Sequence, residues 1–395
     1  MVTREEALAN KIRVQAEGVQ SWVDYGYRSC LEWATGVGKS KAAIDCMKLY
    51  ETTNTLPILL LTPTEKMRDE DWPEEFKKWN YIPRSIKIVC YAVAAKADFS
   101  KYGMIVFDEM HKLTAHNLRR LTDDPFQKLL GLTATRYNRN YSDDDKERVL
   151  LSEELLPTSH RVTTDEAVDL GLIADFEIYV VKYFLEGVKK TILAGNAKAP
   201  FYQTEVEKYK FLTKKLQFAM MKAKDKKFEF MKFSAMSART QFIYNLPSKL
   251  VMAKHFLERL QKEPGKRTLI FAGSVEQANL LCDHVYHSDS TSESLDKFQR
   301  AEIDTIASVR CLNEGANLHK PDQNLIVQVD SVDRNLVQRI GRCVRIRYDQ
   351  LDFKARIVIL VALNTCDEEW YKKAIAGFDS KRITERTLAK IPYDE

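Results

Sequence analysis

Hydrophobic positions along the chain gather into two series of short runs, separated by longer segments with helical periodicity. The first series holds "PILLLTP" (57–63), "SIKIVCY" (85–91), "MIVFDE" (104–109) and "LLGLTAT" (129–135). The second holds "RTLIFAG" (267–273), "IDTIASV" (303–309), "NLIVQVD" (324–330) and "ARIVILVAL" (355–363). Runs of four to seven apolar residues without alternation predict strands buried on both faces, hence parallel sheets covered by helices. "SCLEW" reads as the end of one more strand, running into a glycine turn. "KAAIDCMKLY" and "LPSKLVMAKHFLERL" (246–260) carry helical patterns between the runs. Strand and helix alternating twice over predict two α/β domains, placed at 1–175 and 176–395.

The composition shifts between the two series, in an arm at about 200–250. From Glu205 to Lys232 there are nine lysines against four acidic residues, interleaved with Tyr209, Phe211, Phe218, Phe228 and Phe230. An amphipathic helical arm with solvated lysines accounts for the pattern. That account is favoured over a basic-aromatic surface that touches nucleic acid, which only the charge bias supports.

Composition bounds the classes. With 395 residues, 45% hydrophobic and 30% charged, the chain is a globular protein of about two domains. Lysine and arginine exceed acidic residues by 61 − 56 = 5, which permits a polyanionic partner without demanding one. No apolar leader pattern opens the sequence and no run of about 18 apolar residues interrupts it. Seven scattered cysteines form no CxxC pair, so we expect a reducing intracellular compartment, the cytoplasm. His284 and His287, three apart on an expected helix, lack a second ligand pair and read as surface or packing residues.

Three stretches carry chemistry. "EWATGVGKS" (32–40) places Gly36 and Gly38 where a turn can aim backbone N–H groups at phosphate oxygens, at a helix N-terminus that favours anions. Thr35 and Val37 complete the loop, Lys39 would neutralise phosphates, and Ser40 would give its hydroxyl to Mg²⁺. "MIVFDEMH" sets Asp108 and Glu109 at the carboxyl end of a buried strand, where open α/β sheets hold ligands. Asp108 suits Mg²⁺ through its water shell, and Glu109 suits polarisation of an attacking water. "QRIGRCVR" (338–345) spaces Gln338, Arg342 and Arg345 on one face if the whole segment is helical. It then reads either as an exposed basic helix or as a bearer of guanidinium groups for a γ-phosphate.

The order GxGKS, DExH, TAT, QxxGRxxR resembles superfamily 2 helicases and translocases over nearly the whole chain. The stretch at 163–178 resembles the compact double-strand translocases and branch-migration helicases, a subgroup with phage members. That resemblance implies two tandem RecA-like lobes, ATP and Mg²⁺ as cofactors, and nucleic-acid-stimulated ATP hydrolysis in a cleft between the lobes. A phage-encoded protein would act in a host cytoplasm. Arg13 and Gln15 would form the upstream adenine-reading segment. His111, Thr133 and Thr135 would couple hydrolysis to the strand. Pro63, Thr64, Tyr91, Ser274, Gly315 and Asn317 would line the nucleic-acid path. DNA, gripped by its backbone without sequence specificity, is the expected partner. An RNA helicase, or a motor subunit whose protein partner supplies substrate choice, remains open. Trp33, Ala34, Arg136 and Asn317 depart from the family pattern, and none of them is a hydrolytic residue.

Overall fold

We describe a computed structural model of the chain, which describes residues 2–94, 96–121, 127–136, 143–222, 228–309 and 321–392. Two compact units emerge. One comprises Met1–Asp175 with Val344–Lys354, the other the bulk of the chain from Phe176 onward.

The first unit is built on β1 (Arg28–Trp33), β2 (Ile58–Thr62), β3 (Ile86–Cys90), β4 (Met104–Asp108), β5 (Lys128–Thr133) and β6 (Thr158–Val162). They form one sheet in the order β3-β2-β4-β5-β1-β6, parallel throughout. Strands β2 and β4 are buried at every position, which is why their sequences run apolar without alternation. Leu59, Leu61, Ile105, Phe107 and Leu129 make the heart of this core. Each such side chain contributes roughly 1.5–3 kcal/mol by leaving water.

The second unit contains β7 (Asp175–Tyr183), the hairpin β8 (Ile192–Asn196) and β9 (Ala199–Gln203), and then β10 (Thr268–Phe271), β11 (Val285–Tyr286), β12 (Thr305–Ser308), β13 (Gln323–Ile326), β14 (Lys354–Ala362) and β15 (Ile383–Leu388). Its sheet runs β11-β12-β10-β13-β14-β7-β15, with the hairpin apart. Parallel pairs join β10 to β12 and β13, β13 to β14, and β15 to β7. Met252, Ile270, Leu325, Val358 and Leu360 lie in its core. Both sheets are the parallel, helix-covered α/β architecture of tandem RecA-like lobes.

Between β9 and β10 the arm forms two helices, Glu205–Lys222 and Glu229–Tyr244, which share a small core of Leu216, Ala219 and Ala235.

Two expectations are corrected. His284 and His287 flank the two-residue strand β11 and not a helix, because the preceding helix ends at Leu281 and Val285 pairs with Ala307. The segment "QRIGRCVR" is helical only to Gly341. Beyond it Arg345 lies in extended backbone, bridged antiparallel to Ile173. Gln338, Arg342 and Arg345 therefore do not share one helical face.

Candidate nucleotide site

Strand β1 delivers the chain into the glycine turn, and the helix Lys39–Thr53 leaves from it. Gly38 is left-handed, with φ of 108°, at the helix N-cap. Gly36 has φ of 95°. A side chain at either position is strained by the backbone alone. At Gly38 a Cβ would also lie 2.2 Å from Nε2 of Gln15. Val37 is fully buried, whereas Thr35, Lys39 and Ser40 are half-buried. Lys39 Nζ donates to the Trp33 carbonyl at 3.0 Å, so the ammonium is folded over its own loop.

Trp33 lies beneath the loop. Its ring is fully buried, its Nε1–H donates to Nδ1 of His160 at 2.9 Å, and its far edge fills the space above Gly18. A Cβ on Gly18 would stand 2.2 Å from that ring.

The upstream helix Arg4–Asp24 covers the loop from the other side. Gln15 is buried and its Nε2 donates to the Val37 carbonyl at 3.4 Å. Arg13 points away, paired with Glu17 at 3.0 Å on the exposed face. Two residues apart on a helix lie on nearly opposite faces, so only one of the pair can reach the loop. Lys11, one turn before Gln15, can: its Cε is 3.6 Å from the position a Gly38 Cβ would take. Burial, with Lys78 nearby, holds its ammonium below the usual lysine range, partly offset by Glu75. Motif spacing did not single out Lys11; its i, i−4 relation to Gln15 was the available signal.

Strand β4 ends at Asp108, which is buried. Its Oδ2 accepts from Nε1 of Trp72 at 2.9 Å and its Oδ1 from the Glu109 N–H at 3.0 Å. Burial and the Glu109 charge push its carboxyl up to about 7, against the pull of Trp72 and Lys39. Trp72 lies beyond β2, at the start of the helix Trp72–Lys78, and no motif in the sequence marks it as the holder of Asp108.

Glu109 itself is left-handed, with φ of 50°. Such a conformation in a non-glycine residue stores strain that the surroundings must sustain. Its Oε2 lies 3.3 Å from Nδ1 of His111. The same nitrogen is 3.2 Å from Oγ1 of Thr133, whose hydroxyl donates to the Thr135 carbonyl at 3.0 Å. The first unit thus brings Glu109, His111, Thr133 and Thr135 into one continuous polar chain.

Arg136, where the family pattern differs, is buried and structural. It donates to Oγ1 of Thr158 and to the carbonyl of Ser152, both at 2.6 Å, tying the end of β5 to the helix Asp143–Leu155 and to β6.

The remaining candidates have other surroundings. Tyr91 donates its hydroxyl to the Asp108 carbonyl at 2.9 Å and so braces β4. Pro63 and Thr64 follow β2 directly, and the Thr64 hydroxyl accepts from the Met67 N–H at 3.3 Å. Ser274 caps the helix Val275–Leu281 and donates to Asn245 at 2.6 Å. In the second unit Gln338 and Arg342 are buried near the end of the helix Asp333–Gly341. Their neighbour Arg339, which sequence reasoning passed over, pins that helix by pairing with Asp330 and donating to the Gln328 carbonyl. Arg345 lies in the first unit, where burial lowers its ionisation range and Glu75 and Asp71 pull it back up. Gly315 and Asn317 lie outside the described residues.

Do these groups fit a magnesium nucleotide? A glycine cradle at a helix N-terminus with Lys39 folded over it suits phosphates. A buried carboxyl held near neutrality, with Lys39 close enough to pull on it, suits a cation arriving with those phosphates. Among the described residues no group of three or more His, Cys, Asp or Glu could hold a metal alone. A single buried carboxylate beside a phosphate cradle is compatible with Mg²⁺, which takes few carboxylates and keeps its waters.

Residues 248–347 match the helicase conserved C-terminal domain model. That stretch, most of it in the second unit, is similar to a helicase C-terminal domain. It is 24% identical over 385 residues to a Haloarcula marismortui protein assigned as a DNA 3′–5′ helicase, Rad25, covering 89% of this chain and 52% of that one. The chain thus spans about half the length of this curated relative. Among solved structures it resembles the Hef helicase domain of Pyrococcus furiosus, with 16% identity and a TM-score of 0.50, over 90% of this chain and 97% of that one. It also resembles the ATP-dependent Type ISP restriction-modification enzyme LlaBIII bound to DNA, with 12% identity and a TM-score of 0.58, over 95% and 31%. The helicase C-terminal match and the likeness to the Haloarcula protein support a helicase, and the solved structures share its fold.

Proposed function

We propose that the chain is a nucleic-acid-stimulated ATPase of the DExH type that moves along DNA. The observation that carries this is the assembly, within one unit, of the Lys39 loop, Asp108 and the chain Glu109–His111–Thr133–Thr135. Lys39 would leave the Trp33 carbonyl for the β- and γ-phosphates, and the amides of the loop would hold the same oxygens. Bound Mg²⁺, held by Ser40 and Asp108, would supply charge neutralisation on the phosphates. Glu109 would orient and deprotonate the attacking water, the task phosphoryl transfer leaves to a side chain. His111 and Thr133 would sense whether Glu109 is engaged and pass that state to Thr135. Arg342 of the second unit is the arginine finger of this reading, with Gln338 beside it on the same helix end. Arg345 would share that role, with its backbone bridged to Ile173.

DNA as the track is supported by the DNA helicase assignment of the Haloarcula relative and by the DNA-bound state of LlaBIII. The likeness to a restriction-modification enzyme favours one second reading, a motor serving a larger nuclease assembly. Co-purification with a nuclease partner would support it.

The test is ATP turnover with matched single-stranded DNA, duplex DNA, branched DNA and RNA. We expect stimulation by a DNA form, lost in Lys39→Ala and Glu109→Gln. Turnover in those variants equal to wild type would overturn the proposal.

A further inference from the structure

The arm of the second unit carries a pattern that the nucleotide site does not use. On the helix Glu205–Lys222, Lys208, Phe211, Lys215, Phe218 and Lys222 recur at alternating spacings of three and four. That spacing places all five on one helical face, as an alternating stripe of cation and ring. With about 1.5 Å of rise per residue, the two rings stand roughly 10 Å apart along the axis. Phe211 is 58% exposed and Phe218 51% exposed. Lys208 lies 5.8 Å from the Phe211 ring, and Lys222 lies 5.8 Å from the Phe218 ring.

Rings this exposed lose the hydrophobic stabilisation that burial would give them, and they lie outside the arm's own core of Leu216, Ala219 and Ala235. The charge decides what fits them. The two carboxylates of this helix lie in its first turn. Glu205 is buried on Ser248, and Glu207 accepts from the Thr204 N–H at 2.8 Å. From Lys208 to Lys222 the helix holds five lysines and no acidic residue. Lys210 and Lys214 line a groove of about 510 Å³ at the arm's root, with Thr213 and Gln217. A surface that sets two exposed rings between lysines, on a stretch of helix without acidic residues, complements a polyanion with exposed aromatic faces. Unpaired nucleic-acid bases on their phosphate backbone have that chemistry, and a duplex hides its base faces.

We propose that the Lys–Phe stripe of the arm is a second nucleic-acid contact, which stacks unpaired bases on Phe211 and Phe218 and holds their phosphates with Lys208, Lys215 and Lys222. It rests on the reading that this chain acts on nucleic acid, and adds to it a preference for single-stranded segments.

The test uses the full chain, a labelled oligo-dT, a labelled duplex, and the double variants Phe211→Ala/Phe218→Ala and Lys215→Gln/Lys222→Gln. Because all four side chains are exposed, we expect unchanged melting and unchanged ATP turnover without nucleic acid. The ring variant should bind oligo-dT more weakly by about tenfold or more, with a smaller loss on duplex. The lysine variant should lower the salt dependence of binding by about one or two counterions. Photo-crosslinking of a halogenated oligonucleotide should label the 205–222 segment. If wild type binds DNA and the ring variant binds it equally well, the stripe proposal is overturned and the motor reading stands. If wild type binds no nucleic acid, the motor reading falls and takes the stripe with it. Wild-type self-association that the ring variant abolishes, with DNA affinity unchanged, would assign the face to a second copy and overturn the proposal.

Discussion

The carboxyl of Asp108 is shifted towards the protonated form, whereas its proposed task requires the ionised one. It is buried at the end of β4 beside Glu109, and its ionisation is pushed up to about 7. The free protein therefore keeps Asp108 largely protonated at pH 6 and largely ionised at pH 8. A magnesium nucleotide should select the ionised form, so its apparent affinity falls by the fraction ionised. For a group titrating at about 7, that fraction is about one-eleventh at pH 6 and about nine-tenths at pH 8. Binding should be about tenfold weaker at the lower pH on account of this group alone. Nucleotide phosphates also titrate in this range, so the measurement is a comparison: wild type and Asp108→Asn, with and without Mg²⁺, by fluorescent-nucleotide binding at pH 6, 7 and 8. The phosphate contribution is common to both proteins and cancels. We expect the Mg²⁺-dependent gain in wild type to grow about tenfold more across this range than in Asp108→Asn. Parallel pH dependences in the two proteins would refute both the raised ionisation and the metal role.

The same shift has a stability consequence. A carboxyl raised in the folded state binds more protons there than when unfolded, so its contribution is complete below the unfolded value and lost as pH rises towards 7. Asp108→Asn should accordingly raise the melting temperature relative to wild type more at pH 8 than at pH 5, read by thermal denaturation; a smaller gain at pH 8 would contradict the sign. Trp33→Leu empties space beneath the loop and removes the donor to His160, which we expect to cost about 2–4 kcal/mol, with ATP affinity little changed. An unchanged melting temperature would show that the ring is not a packing element. Gly38→Ala combines a forbidden backbone with the Gln15 clash, and should abolish nucleotide binding in a protein that still folds its second unit. In that second unit Lys249 and Asp367 form a fully buried ion pair at 3.0 Å. Lys249→Met should destabilise by about 3–5 kcal/mol and Lys249→Met/Asp367→Leu by much less, because the single change strands a buried charge. Equal losses in the two variants would refute that account.

Much of the fold was legible along the chain. Strands β2, β3, β4, β5, β10, β12, β13 and β14 fall largely in the apolar runs, because strands covered on both faces are mostly apolar; β13 buries Gln323 and Asn324 as well, with their amides hydrogen-bonded. Strands β6 and β15 escaped notice as half-polar sheet edges, "TSHRV" and "ITERTL". Strand β7 alternates buried and partly buried positions, which disguised it among helical patterns. The helix expected through Arg345 failed because the arginine spacing is compatible with a helix without enforcing one. Pairing with Ile173, more than 170 residues earlier, decides the backbone there.

Local necessity and distant partnership divide the nucleotide site in the same way. Gly36 and Gly38 announce their turn because only glycine takes those φ values freely, and Asp108 and Glu109 announce theirs by ending a buried run. The sequence by itself determined those requirements, since each depends on a residue and its immediate neighbours. Only the tertiary structure decided that Trp72 holds Asp108, that Gln15 and Lys11 close over Gly38 while Arg13 does not, and that Trp33 packs between Gly18 and His160. Those contacts join positions tens to more than a hundred residues apart. No periodicity records them, because burial and hydrogen-bond demand select a partner in space and not along the chain.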